Sequence, residues 1–310
     1  MQVVCIGECM VEFARRDDGL WQQGFAGDSL NVAWALRAVL PEKAQIAYLT
    51  RVGTDALSDA LMAMLHTAGI VTADIQRDAT RTVGLYTIQT DATGERSFGY
   101  WRSDSAARRL ADNQAILTTA LAQTDLVYLS GITLAILPPE GRAHLMAALG
   151  TRGNRPFRVA FDPNLRPRLW QGMDAARAAI TAAARASDIL LPTFDDEALA
   201  FGDETPASTA DRYAALGVPE ITVKDGARPT IWRSTATEGT CPVTPAARVV
   251  DTTGAGDSFN GAYLAARLIG AAIPEAIAQA QRVSALVVGS RGALVAPDTL
   301  RAAAQPAPRA

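Results

Sequence analysis

Short apolar runs alternate with longer segments of helical period along this chain. Residues 3–7 (VVCIG) are the first run and read as a buried strand ending in glycine. An Ala/Leu helical pattern follows Asn31, then a strand over 44–49 and a helix over 55–68. The alternation resumes downstream, with strands over 125–130, 158–161, 188–191 and 220–223 and helices over 140–149 and 174–186. Such alternation predicts the α/β class, a three-layer α/β/α architecture around a mainly parallel sheet.

One region departs from that rhythm. Residues 84–90 (GLYTIQT) and 96–101 (RSFGYW) are β-prone, and 91–95 (DATGE) joins them as a turn. The expected hairpin is a small β lid over a site; the alternative is an extra edge of the main sheet. Residues 9–13 add a candidate strand to it. No repeat or linker interrupts the chain. One domain is expected over 1–300, with a lid drawn from about 8–25 and 75–105 and a flexible tail over 301–310.

Composition narrows the classes. The 310 residues are 49% apolar and 20% charged, ordinary for a globular protein. A net charge of −3 lacks the basic excess of a nucleic-acid binder. Cys5, Cys9 and Cys241 suit neither a disulfide scaffold nor a zinc site. His66 and His144 both fall in helical segments, so a Ser-His-Asp triad lacks support. The N-terminal run carries Glu8 and Glu12 without a signal peptide's basic start, and no apolar stretch is long enough for a bilayer. The expected location is cytoplasmic, with no nucleic-acid or membrane partner.

Candidate chemistry concentrates in Asp251-Thr252-Thr253-Gly254-Ala255-Gly256-Asp257, between the β-branched run 248–250 and a helical pattern over 258–269. A helix N-terminus presents unpaired amides and partial positive charge. Gly254, Ala255 and Gly256 let a phosphate approach that backbone closely and form an anion hole. Asp257, in the first turn, can take a proton from an attacking hydroxyl. An isolated GAGD would read as packing glycines with a dipole-compatible acid; the complete string favours phosphoryl transfer. The glycine pattern of a dinucleotide fold fails at Phe259, and no GxxxxGK[ST] loop is present.

The segment 251–265 (DTTGAGDSFNGAYLA) resembles the C-terminal signature of the PfkB, or ribokinase-like, family of carbohydrate kinases. Residues 26–33 (AGDSLNVA) resemble its GGxxxNxA segment and 51–55 (RVGTD) its RVGxD. The resemblance runs from Gly7 to about Pro297 and implies ATP, Mg²⁺ and a ribokinase-like fold. Gly27-Asp28 with Asn31, and residues 100–102 (YWR), 129–133 (LSGIT) and 162–170 (DPNLRPRLW), resemble the branch acting on 2-keto-3-deoxygluconate, an acid sugar. A kinase for fructose, ribose or another neutral sugar is the alternative.

Residue chemistry agrees with an acid sugar. Arg102, at the end of the hairpin, and Arg166, after a strand's carboxyl end, are planar donors suited to a carboxylate; Arg168 reads as a surface residue. Tyr86 and Tyr100 fit a sugar face or lid packing. Asp28 is either a hydroxyl acceptor or a helix cap, and Asn31 can donate and accept. The resemblance adds Ile132 on the substrate side and Asn164, Lys224, Gly226 and Gln281 on the nucleotide side. Without it, Lys224 would read as a surface turn.

Two departures from the pattern stand out. Ala26 replaces the first glycine of GGxxxNxA. The NxxE motif linked to magnesium lacks its asparagine in 192–197 (PTFDDE), leaving Glu197 to act on the metal through water. The resemblance also allows K⁺ near Asp251 and Thr253. The expected partners are a small acid sugar and ATP, with homo-oligomer contacts through the exposed lid edge.

Overall fold

Strand β1 (Gln2–Ile6) sends Val3 and Cys5 to one core and Val4 and Ile6 to another, and all four side chains are buried. A strand covered on both faces is what a parallel sheet between two helical layers requires. The computed structural model describes residues 1–16, 18–90, 96–150, 157–243 and 245–306.

Its central sheet has eight strands in the order β14 (Glu238–Cys241), β13 (Thr230–Ser234), β12 (Glu220–Val223), β11 (Ile189–Leu190), β10 (Arg158–Asp162), β9 (Leu126–Ser130), β1 and β4 (Gln45–Leu49). The strands from β12 to β4 pair in parallel; β13 and β14 are antiparallel. β5 (Arg51–Val52) and β6 (Gln76–Arg77) form a separate short pair. One face packs on helices Asp28–Val39, Ala56–Thr67, Ala255–Leu268, Ile273–Val288 and Pro297–Ala304, the other on Gln114–Leu121, Pro139–Gly150, Met173–Arg185 and Pro206–Ala215. This is the expected three-layer α/β/α arrangement. The strand order reverses at β1, between β4 and β9, which opens a crevice at the carboxyl ends of the strands.

A second sheet has the order β3 (Trp21–Ala26), β2 (Met10–Arg15), β7 (Gly84–Thr90) and β8 (Arg96–Trp101). It is not an edge of the central sheet. The turn expected at 91–95 lies outside the described residues. Alternation gives this sheet two different faces. Val11, Phe13, Phe25 and Leu85 join the main core, whereas Met10, Ala26, Tyr86 and Ile88 form a small cluster on the opposite face.

Three elements differ from expectation. The tail expected from 301 is helical through Ala304, because Leu300 and Ala304 pack into the same core as Leu36. The run AAAQ follows an amphipathic turn that composition alone conceals. The antiparallel strands β13 and β14 were absent from the expected pattern because their residues are largely polar and half-exposed.

Candidate active site

The Asp251–Asp257 segment turns into helix Ala255–Leu268 at Gly254, the N-cap, whose φ is 73°. A Cβ there would lie 2.6 Å from Ala293 Cβ, so both backbone and space call for glycine. Asp251 closes the loop: its Oδ1 accepts from Thr253 N and its Oδ2 from Gly292 N, each at 2.8 Å. The first-turn amides of Gly256 and Asp257 stand at this helix N-terminus, while the Ala255 amide donates to the Thr252 carbonyl at 3.2 Å. Lys224 Nζ lies 3.8 Å from where a Gly256 Cβ would be, adding positive charge beside the bare backbone.

Asp257 is half-buried at that N-terminus, and Asn31 Nδ2 donates to its Oδ2 at 2.7 Å. Burial, reinforced by the Asp28 and Asp162 charges, pushes its pKa up to about 7; the Asn31 hydrogen bond and Lys224 oppose the shift. A carboxylate with that pKa is a competent base near neutral pH.

Asp28, the first residue of helix Asp28–Val39, is not an N-cap. Gly27 holds that position, with its Cα against the Glu8 carbonyl. The Asp28 carboxylate accepts from Ser130 Oγ at the end of β9 and from Asn164 Nδ2 at 3.1 Å. Asn164 therefore belongs with Asp28 rather than standing apart on the nucleotide side. It is the one non-glycine residue with positive φ (34°) among the described residues, and Asp162 Oδ1 holds its amide at 3.0 Å.

Below these groups runs a buried polar network. Lys224 Nζ donates to Asp162 Oδ2 at 2.7 Å and to Asn260 Oδ1 at 3.0 Å. Asn260 Nδ2 reaches Asp162 Oδ2 at 2.6 Å and Tyr128 OH at 3.3 Å. Lys224 is therefore no surface turn: its charge is balanced by Asp162 inside the protein. One and two turns further along the same helix, Tyr263 OH and Arg267 both bind the Glu220 carboxylate, at 2.7 and 2.6–2.9 Å. Sequence reasoning missed Asn260, Tyr128 and Ser130. Ser130 lay within the 129–133 motif without a role of its own, and Asn260 carried a signal in lying three residues after Asp257 on the same helix face.

The second sheet contributes Tyr86, Tyr100 and Arg102. Tyr86 donates its hydroxyl to Glu12 and stacks on Tyr100, with ring centroids 5.8 Å apart. Tyr86 is buried and Tyr100 is 53% exposed, so lid packing describes Tyr86, while Tyr100 keeps an open ring. Arg102 is paired with buried Glu8 rather than free. Arg166 is half-exposed; its Nη1 donates to the Leu165 carbonyl at 2.7 Å and lies 3.8 Å from Asp196. Ile132 sits in the first turn after Ser130, half-buried.

The remaining expected residues sit further along the sheet. Gly226 occupies an exposed turn with φ 57°, and Gln281 is buried with its Nε2 3.4 Å from Thr230 Oγ1. Glu197 requires a correction. It is 1% exposed, and its Oε2 accepts from Arg212 Nη2 at 2.7 Å and Tyr213 OH at 2.8 Å. Burial pushes it up to about 7 against the pull of Arg212 and Tyr213, so it is a structural acid closed off from a metal's water. Asp196 is its accessible neighbour. Burial raises its pKa, Arg166 lowers it, and Asp162 raises it further. Among the described residues, no group of three or more His, Cys, Asp or Glu is arranged to hold a metal ion by itself. Asp196, about a quarter exposed, is the acid of this run with both side-chain access and a place beside Arg166.

A glycine-capped helix N-terminus with Asp257 and Lys224 beside it, in a parallel α/β sheet, suits phosphoryl transfer to a small hydroxyl substrate. The pfkB family carbohydrate kinase model matches residues 1–300, and the chain belongs to that family. It is 39% identical over 299 residues to the 2-dehydro-3-deoxygluconokinase of Dickeya dadantii, covering 94% of this chain and 96% of the relative. It is 36% identical over 308 residues to the Escherichia coli K12 enzyme of the same name, covering 97% and 99%. A fructokinase double mutant from Vibrio cholerae O395, bound to fructose, ADP and potassium ion, has the same fold: TM-score 0.84, 22% identity, 98% of each chain covered. Among the described residues, no helix is long and apolar enough to cross a membrane.

Proposed function

We propose that this protein transfers the γ-phosphoryl group of ATP to the C6 hydroxyl of 2-keto-3-deoxygluconate, releasing ADP and 2-keto-3-deoxy-6-phosphogluconate. The observation that carries the chemistry is Asp257, held by Asn31 at the glycine-capped helix N-terminus with a pKa of about 7. The substrate assignment draws on the 36–39% identical relatives that carry the 2-dehydro-3-deoxygluconokinase name.

In this reading Asp257 accepts the hydroxyl proton as oxygen attacks phosphorus. The amides of residues 254–257 and the charge of Lys224 stabilise the equatorial oxygens. Asp28 and Asn31 hold sugar hydroxyls, and Tyr100 and Ile132 face the sugar's apolar side. Arg102 and Arg166 hold the carboxylate end. Gly226 and Gln281 line the nucleotide end. Magnesium, when bound, neutralises phosphate charge, and Asp196 is positioned to meet it through water. A monovalent cation would bind at the loop that Asp251 pins. The second sheet closes over the sugar and excludes water, and its exposed Trp21 and Trp101 provide a surface for a second subunit. The protein acts in the cytoplasm.

Steady-state kinetics with 2-keto-3-deoxygluconate, its C4 epimer, fructose and ribose test the assignment. The acid sugars are expected to show kcat/KM at least ~100-fold above the neutral ones. A larger kcat/KM for fructose or ribose would overturn it.

A further inference from the structure

Arg102, assigned above to the substrate carboxylate, is held by one protein group. Among the described residues, Glu8 alone hydrogen-bonds its guanidinium, through Nη2 to Oε2. The pair is deep: the Glu8 side chain is 0% and the Arg102 side chain 11% exposed. It is also incomplete. Glu8 Oε1 and Arg102 Nε are both buried without a hydrogen-bond partner. Gly84 is the floor beneath it. A Cβ at position 84 would stand 2.7 Å from Glu8 Oε1 and 3.2 Å from Arg102 Cβ, so β7 makes room for the carboxylate by carrying no side chain there. Glu8 follows β1 and precedes β2, so its backbone bridges the central sheet and the lid. Its carbonyl also lies against Gly27, one residue before Asp28.

A long arginine side chain has many rotamers, and a carboxylate receptor must have one. We propose that Glu8, seated over Gly84, is a positioning residue for acid-sugar recognition: it fixes the Arg102 guanidinium and leaves its Nη1 unengaged for the substrate carboxylate. The buried pair also keeps the empty site free of an uncompensated charge. The substrate then becomes the second carboxylate on a guanidinium that is already oriented, as the planar five-donor fork allows. This inference rests on the acid-sugar reading above.

The test compares Glu8→Ala, Glu8→Gln and Gly84→Ala, each checked by thermal unfolding. Glu8→Ala is expected to raise KM for 2-keto-3-deoxygluconate by at least ~10-fold, with kcat within ~3-fold and KM for ATP unmoved. Glu8→Gln keeps an acceptor oxygen for Nη2 and should restore KM to within ~3-fold of the parent. Gly84→Ala displaces the Glu8 carboxylate without removing a charge and should reproduce the KM defect, which supplies the test if Glu8→Ala does not fold. An unchanged acid-sugar KM in folded Glu8→Ala or in Gly84→Ala overturns the proposal. So does an equal loss in kcat and in both KM values without rescue by glutamine. If the unsubstituted protein prefers a neutral sugar, it is the acid-sugar reading that fails, and that result comes before any variant is made.

Discussion

Asn31 donates its side-chain amide to the Asp257 carboxylate at 2.7 Å, joining residues 226 positions apart in the chain. The hydrogen bond favours the ionised acid, whereas burial and the Asp28 charge favour the neutral one. Burial dominates, so Asp257 titrates in the range where a base can both exist and act.

The first prediction follows from that balance. kcat/KM for the acid sugar should fall about tenfold per pH unit well below pH 7, as the base is protonated. Asp257→Asn should lower kcat by at least ~1,000-fold with the fold intact. The raised pKa means the folded state resists ionising this acid, so its stability penalty grows as pH rises from 3.8 to about 7. Asp257→Asn should therefore be more thermostable than the parent at pH 8, and the gain should shrink by pH 4.5. A flat difference across that range would count against the shifted pKa.

A second prediction separates the two arginines. Arg102 is nearly buried, while Arg166 is 52% exposed and tied to the Leu165 carbonyl. Arg102→Gln should cost about 10- to 100-fold in kcat/KM for the acid sugar, mostly through KM. Arg166→Gln should cost less. The reverse order, measured with saturating ATP, would place the carboxylate at the other end of the crevice.

A third concerns the acidic run 195–197. Asp196→Asn should raise the Mg²⁺ concentration needed for half-maximal rate by at least ~5-fold. Glu197→Gln should leave that requirement unchanged, because its partners are Arg212 and Tyr213. A Mg²⁺ titration of the two variants decides which carboxylate meets the metal.

A fourth uses the buried pair. Lys224→Met leaves Asp162 without its cation and should destabilise the protein by about 3–5 kcal/mol in denaturant unfolding. Lys224→Met combined with Asp162→Leu should recover part of that loss without restoring activity. Full recovery of turnover would deny Lys224 any part in holding phosphate.

What was legible in the chain follows from how local each signal is. The Asp251–Asp257 loop is contiguous, and its glycines mark the turn that the structure shows at Gly254. Buried runs such as residues 3–7 announce parallel strands because both faces are covered. Contacts made by topology were not legible. Glu8 lies 94 residues from Arg102, and Asn260 lies 98 from Asp162. Within 195–197 three acids follow one another, and only the phase of helix Phe194–Phe201 turns Glu197 inward and leaves Asp196 accessible. Strands β13 and β14 escaped because half-exposed polar strands lack an apolar alternation to reveal them.

The helix that carries Asp257 is fastened along its length: Asn260 to Asp162 and Lys224, then Tyr263 and Arg267 to Glu220 at the start of β12. An element riveted at three successive turns to the central sheet cannot swing. If Asp257 is the proton acceptor proposed above, it works as a fixed anvil, and closure would fall to the four-strand sheet.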